Sequence, residues 1–427
     1  MFRDQFSRLG SRLLRTLGLL AMVLMLSLLA TNRAQAQNPV IDWDAIASTT
    51  IVTNAHEPPA VAAVWFAYVH LAVYDAVNAI DRQHQPYLFT TDPPAGASED
   101  AAAIAAAHRV LVHYFPAQEP TLDGQFATSI AALTDTPASI TAGEAIGESA
   151  AQALITARAN DGLLANVPYT PPVGPGFWQP TPPLFGPPIA PWLGKMVPFT
   201  MTGAAQFFPH DGPDRLQSER WIDDYNETMT LGALNSTVRT SEQTEIGLFW
   251  TEHANQQDAR AFRGLAKQEA LDTADTARLM AMLFAGSADA AIGCWNAKYT
   301  YSFWRPVTAI PAGGGNPKLT GDPAWTPLGA TPSHPEYPAA HGCVTGAIAG
   351  ILEGYFGTPN VQFSVNSLVT KTTHVFNNTD DLVNEVKNAR IYAGFHYRHS
   401  VDDGARLGQR VAKQLLKRFF KPVKHHN

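Results

Sequence analysis

Three short segments in the last third of the chain concentrate cations and imidazoles. The first is Lys298-Tyr-Thr-Tyr-Ser-Phe-Trp-Arg305-Pro306. Lys298 and Arg305 are seven residues apart, which on a continuous helix is two turns and one face. Trp295, Tyr299, Phe303 and Trp304 partly desolvate both charges, so both call for an anionic partner. Pro306 then predicts the end of that helix. The second segment, His334-Pro-Glu-Tyr-Pro-Ala-Ala-His341-Gly-Cys343, leaves a proline-bearing loop and enters a small-residue helix. The backbone N–H groups near Ala340 and His341 then sit at a helix N-terminus, a ready anion site. His341 is a candidate proton donor there. The third is Arg390-Ile-Tyr-Ala-Gly-Phe-His396-Tyr-Arg398-His399. An Arg can fork onto an oxyanion, and a neutral His nitrogen can attack phosphorus or ligate a metal. Taken singly, these segments also fit a solvated basic stripe, a structural histidine and a helix-end Arg. Together they supply three cations and two histidines, the inventory for a tetrahedral oxyanion such as phosphate or vanadate.

The elements that must position these groups read as helices. The chain has 427 residues, 45% hydrophobic and only 16% charged, with a net charge of −7. So apolar a chain can fill a core. The acidic balance argues against a general nucleic-acid binder, and no zinc-finger spacing, Walker loop or GxGxxG is present. Residues 37–57 read as a poorly structured lead-in. Helices are predicted over 60–80, 101–115, 121–133, 141–160, 218–231, 240–253, 273–304, 341–356, 379–395 and 400–420, with a break near Gly286 or Gly293. Residues 168–198 are too rich in proline for a helix or central strand. They predict an ordered meander anchored by Trp178, Phe185 and Trp192. A Gly/Pro-rich loop spans 311–338. There is no βαβ alternation and few strand runs, so the fold class is mostly α with long Pro-rich loops.

The first 36 residues read as an address. Arg3, Arg8, Arg12 and Arg15 precede the apolar stretch Leu17–Ala30, and Ala34-Gln35-Ala36 is a small-x-small cleavage signal. This is a secretory signal peptide pattern, and 14 residues fall short of the ~20 that span a bilayer. Removing residues 1–36, with five Arg and one Asp, takes the charge from −7 to −11. No later stretch reads as a membrane span. The expected product is an exported, periplasmic or secreted chain with one large all-α domain over 37–427. Cys294 and Cys343 are compatible with a disulfide in that compartment and equally with two buried thiols.

The three segments resemble the signature of the vanadium-dependent haloperoxidases and the related type-2 phosphatidic acid phosphatase superfamily, K-x6-R-P, P-S-G-H and S-R-x5-H-x3-D. Lys298-x6-Arg305-Pro306 matches the first part and Arg390-x5-His396 the core of the third. His70-Leu-Ala-Val-Tyr-Asp75-Ala-Val-Asn78-Ala-Ile80 and Phe303-Trp-Arg-Pro-Val-Thr-Ala-Ile310 also look like the bacterial haloperoxidase-like branch. The resemblance implies a helical-bundle domain and a vanadate cofactor, with phosphate as competing occupant. It implies that Lys298, Arg305, Arg390 and the Ala340 N–H bind the oxyanion. His396 would be the vanadium ligand or the phosphatase nucleophile, His341 the acid–base residue, and Lys298 the group polarising peroxide. Ala339, Ala340, Ala389 and Ser400 stand where the family has Ser, Gly, Ser and Asp. Asp402 or Asp403 could take over the task of the missing Asp, orienting His396. His334, five before the motif serine position, is the family's pointer to bromide. The implied activity is a peroxidase, an oxidoreductase that oxidises halide with hydrogen peroxide. Two alternatives remain: an exported acid phosphatase acting on a phosphomonoester through phospho-histidine, and an oxyanion-binding protein without catalysis.

Overall fold

The computed structural model describes residues 38–423, so segment 1–36, read from sequence as a signal peptide, lies outside the described residues. In chain order the helices are α1 (Pro39–Ser48), α2 (Pro59–Asp81), α3 (Glu99–Tyr114), α4 (Glu119–Ala131), α5 (Pro137–Arg158), α6 (Glu219–Leu231) and α7 (Ser241–Phe249). They continue with α8 (Ala254–Gln268), α9 (Thr273–Tyr301), the short α10 (Pro306–Ala309), α11 (Ala340–Phe356), α12 (Thr379–Tyr392) and α13 (Arg398–Arg418). A small antiparallel hairpin, β1 (Phe363–Asn366) with β2 (Thr373–Phe376), pairs Phe363 with Phe376. The fold is mostly α, as the sequence predicts.

The axis is a pair of helices that are apolar all round. Helix α2 starts with Pro59 in its first turn, where a missing N–H costs nothing. Residues 60–79 of it are all buried. Helix α9 starts on Asp272, whose side chain accepts the Asp275 N–H at 2.8 Å. A helix buried on every face needs neighbours on every side. For α2 they are α3, α5 and α9, and for α9 they are α2, α11 and α13. Both α2 and α9 are long and apolar enough to cross a membrane, contrary to the expectation of no such stretch. In each, 94% of the most apolar window is buried inside the fold. Core helices pass the same length and hydropathy test, so passing it is weak evidence for a span.

Several boundaries differ from expectation. Residues 39–54 are helical, with Trp43 and Ile51 buried, not a loose lead-in. Helix α8 was not anticipated, and neither was the hairpin. Helix α9 runs unbroken through Gly286 and Gly293 and stops at Tyr301, because Ser302 turns left-handed at φ 52°. Both glycines face the packed helices: a Cβ on Gly286 would overlap Ile351, and one on Gly293 would meet Leu407 Cδ2 at 3.5 Å. The proline-rich meander is anchored by Trp178 and Trp192, whereas Phe185 is 65% exposed. Its far end is tied to α9 by Asp289. That carboxylate accepts the backbone N–H groups of Phe199, Thr200 and Met201 at 2.6, 2.6 and 3.1 Å. Asp75 does the same for Tyr87, Leu88 and Phe89, and His70 pairs with Asp44 at 2.8 Å. The upstream motif is therefore scaffold.

Helices α11 and α13 touch backbone to backbone. A Cβ on Gly342 would lie 2.7 Å from the Val401 carbonyl oxygen, and one on Gly408 would overlap the Cys343 carbonyl. This close approach fixes the start of α11, where His341 sits. Gly408→Ala should therefore lower stability by about 1–3 kcal/mol through overpacking. Gly264→Ala, at an open position of α8, should raise it by about 0.5–1 kcal/mol. Chemical denaturation of the two variants checks both signs.

Candidate oxyanion site

Arg305 is the centre of the site. After the left-handed turn at Ser302 the chain runs extended, and Arg305 is the N-cap residue of α10. Lys298 and Arg305 thus do not share a helix face, as their spacing suggested. Pro306 starts a helix rather than ending one. The helix stops one turn early, and the extended link turns Arg305 inward. The guanidinium is fully buried. Its Nε donates to the His334 carbonyl at 2.9 Å and Nη1 to the Phe395 carbonyl at 2.9 Å. Nη1 also lies 3.0 Å from His396 Nε2, and Nη2 lies 3.0 Å from His334 Nδ1.

Arg390 comes from the last turn of α12. Its Nη1 donates to the Trp250 carbonyl at 2.8 Å, and its Nε is buried with no partner among the described residues. Lys298, one turn from the end of α9, donates from Nζ to the carbonyls of Pro335 and Glu336 at 2.9 and 2.8 Å. Its ammonium lies 5.7 Å from the Trp295 ring centroid. His341 is the second residue of α11, whose first turn has no side-chain cap. Ala340 opens that helix with a negative φ, so its Cβ is no obstacle to the N–H.

Arg305, His334, Ala340, His341, Arg390 and His396 line one cavity. Lys298 stands behind its wall and adds charge without lining it. Of the residues proposed from sequence, five therefore converge and the sixth is buried beside them. His334, the family's pointer to bromide, stands in the wall with its ring 4.8 Å from that of Trp295.

The electrostatics are lopsided. None of Lys298, Arg305 and Arg390 makes an ion pair among the described residues, and all three are buried. The carboxylate that acts on Lys298 and Arg305 is Glu336. Three positive charges face one negative charge in a dry interior, an arrangement that costs several kcal/mol unless an anion is bound. Burial, with lesser contributions from the neighbouring charges, pushes Lys298 down to about 8 and Arg390 to about 9. Burial first, then the surrounding cations, hold His341, His396 and His334 well below the ordinary imidazole range. All three histidines are therefore neutral at neutral pH and offer lone pairs.

The residue that sequence reasoning missed is Glu336. Its Oε1 accepts from His396 Nδ1 at 2.7 Å and from the Tyr397 N–H at 3.2 Å. With Nδ1 protonated, the lone pair is on His396 Nε2, at the cavity wall, where Arg305 Nη1 meets it at 3.0 Å. Neither Asp402 nor Asp403 takes this role. Asp402 pairs with Lys387, and Asp403 accepts from Tyr337 at 2.5 Å and pairs with Arg406. Ser400 is buried in α13, where its hydroxyl acts on the Glu336 carboxyl. Only one signal in the sequence pointed to Glu336: a lone acid among prolines in the loop entering the anion-binding helix. Cys294 and Cys343 are buried free thiols, not a disulfide.

The donor set suits a tetrahedral oxyanion. It offers an unpartnered guanidinium N–H, an uncapped helix start, two further buried cations and one imidazole nitrogen held ready. Vanadate and phosphate both fit it, and His396 Nε2 is the atom suited to ligate vanadium.

Residues 278–425 match the family described as the VCPO second helical-bundle domain. A curated relative, the vanadium chloroperoxidase of Curvularia inaequalis, is 29% identical over 200 residues. That match covers 39% of this chain and 32% of the relative, so the chain spans about a third of that protein's length. Among solved structures, a bacterial vanadium-dependent iodoperoxidase superposes with a TM-score of 0.79 at 24% identity, covering 91% of this chain and 97% of the other. The holo form of a bacterial vanadium-dependent chloroperoxidase gives 0.70 at 17% identity, covering 90% and 96%. The chain thus shares the fold of these solved structures, and its last third resembles the second helical-bundle domain of that family.

Two outcomes follow from the unpaired charge. Arg390→Met should raise the melting temperature of the unliganded protein, because it removes a buried uncompensated charge. The same change should abolish the stabilisation by sulfate, which in the wild type reaches about 2.7 kcal/mol at a hundred times Kd. Sulfate, which does not titrate near neutrality, should also bind more weakly as pH rises through about 8, where Lys298 loses its charge. Lys298→Met should erase that step. Calorimetric titration with sulfate between pH 6.5 and 9 reads it.

Proposed function

We propose that this chain is a vanadate-dependent haloperoxidase that oxidises a halide, bromide in the first instance, with hydrogen peroxide. The observation that carries the reading is the trio of buried cations without ion pairs around a histidine whose Nε2 is held toward the cavity. Vanadate, when bound, supplies a Lewis-acidic centre that activates peroxide toward halide. The chain's own residues do the rest. Glu336 fixes the His396 tautomer, so that the ligating nitrogen does not need to lose a proton. Arg305, Arg390 and the start of α11 hold the oxyanion oxygens and compensate their charge. His341, kept neutral by burial and by the cations around it, can accept a proton from bound peroxide at its free ring nitrogen. Lys298 adds positive potential from behind the wall. His334 lines the cavity as a neutral imidazole already engaged by Arg305, a polar wall group suited to a soft halide. The export read from residues 1–36 would place this chemistry outside the cytoplasm.

A second reading, an acid phosphatase on the same scaffold, is favoured by the Glu336–His396 pair, since a carboxylate on Nδ1 also activates Nε2 for attack on phosphorus. His341 would then protonate the leaving oxygen. The third, an oxyanion-binding protein without turnover, rests on Ala339, which leaves one hydroxyl fewer for the oxyanion. One assay set separates the three. The protein is incubated with orthovanadate, and bromination of a phenol dye is followed with bromide and peroxide. Bromination that needs all three components, and drops at least a hundredfold in His396→Ala, is the expected result. Hydrolysis of p-nitrophenyl phosphate without bromination would install the phosphatase reading. Sulfate binding with neither activity would install the third.

A further inference from the structure

The cavity is more apolar than an oxyanion, a peroxide and a halide require. It holds about 130 Å³. Beside the charged groups its walls include Pro58, Ile189, Trp250, Trp295, Pro332 and Val344. Such walls gain nothing from small inorganic ions, which would leave them wetted by water. They fit an apolar body, and two indole faces suit an aromatic or cationic one.

One group in this wall is out of character. Asp258, on α8, lines the cavity and has no hydrogen bond or ion pair among the described residues. The charged groups that act on its carboxyl are Arg260 and Glu252. Arg260 is already held by both oxygens of Glu252 at 2.7 and 2.8 Å, so the pair is nearly neutral toward a third group. None of Arg305, Arg390 or His341 acts on it, so it lies apart from the cation cluster, in the same cavity. Burial pushes the carboxyl up to about 7, with Arg260 pulling it down and Glu252 pushing it up. Asp258 is partly buried, and with no protein partner its carboxylate is open to a cationic ligand or to water. It repels halide and oxyanion, so it does not serve them.

We propose that the cavity takes, beside the oxyanion, an organic cation with an aromatic body, its ammonium group on Asp258 and its ring against Trp250 and Trp295. This deepens the functional reading above by naming the class of organic second substrate at that site. Arg305 and Arg390 do not act on Asp258, so the ammonium should bind there whether or not the oxyanion is present. The ionised form of Asp258 binds the ammonium. Affinity therefore rises as pH passes up through about 7, with Arg260 and Glu252 contributing little net charge.

The test uses the full chain and three probes of one shape: phenethylamine, 2-phenylethanol and phenylacetate. Binding is read from tryptophan fluorescence and calorimetry at pH 7.5, with and without saturating sulfate. Phenethylamine should bind at least tenfold more tightly than 2-phenylethanol, with sulfate present or absent. Phenylacetate should be the weakest of the three. The tenfold preference should shrink at pH 5.5 and fall below twofold in Asp258→Asn and in Asp258→Ser, judged in whichever variant still binds sulfate. Equal affinity for the amine and the alcohol in the wild type overturns the proposal, as does an amine preference that survives both substitutions. The outcomes are separable from the reading on which this rests. Amine preference without halide oxidation sinks the haloperoxidase reading alone, and halide oxidation without amine preference sinks this proposal alone.

Discussion

Uncompensated positive charge in a dry interior is the constraint around which the rest of the structure is arranged. Lys298, Arg305 and Arg390 arrive from α9, the N-cap of α10 and the end of α12, and none finds a carboxylate of its own. They are held instead by backbone carbonyls, of Pro335 and Glu336, of His334 and Phe395, and of Trp250. Carbonyl oxygens satisfy the N–H donors geometrically without cancelling the charge. A protein optimised for stability alone would place apolar residues there. The arrangement persists because all-round apolar helices and glycine-mediated contacts fix the backbone that presents those carbonyls.

The single negative charge in the cluster is spent on orientation. Glu336 accepts hydrogen bonds from His396 Nδ1 and from the Tyr397 N–H, so it fixes both the ring and the turn carrying it. This carboxylate comes from the loop entering α11, not from α13, where Ser400 is buried. One loop thus supplies the orienting acid, the carbonyls that hold Lys298 and, at its end, the start of the anion-binding helix. The chain thus orients His396 from a loop distant in sequence, and pairwise motif spacing cannot reveal that.

The positions of the site residues were largely legible. The K-x6-R-P and R-x5-H spacings, in a chain with few charges, pointed at an oxyanion, and the helices carrying them were placed to within a few residues. What failed has physical causes. The seven-residue spacing of Lys298 and Arg305 implied a shared helix face, but the left-handed Ser302 lies between them. Helix α8 went unseen because it has no side-chain N-cap and a polar composition. Yet Ala259, Phe262, Leu265 and Ala266 give it a buried stripe at helical spacing. Missing α8 hid Asp258 as well. Phe185 was taken for an anchor on residue type alone, and in a proline-rich segment type does not determine which side faces the core.

The central claim is that a tetrahedral oxyanion completes this charge cluster. A crystal grown with tungstate, a heavy vanadate analogue, tests it most directly through its anomalous signal. The account predicts one strong peak in the cavity, within contact of Arg305, Arg390 and the first N–H groups of α11, with His396 Nε2 facing the metal. Density in that cavity occupied by water alone at saturating tungstate, or a peak only on the protein surface, would contradict it.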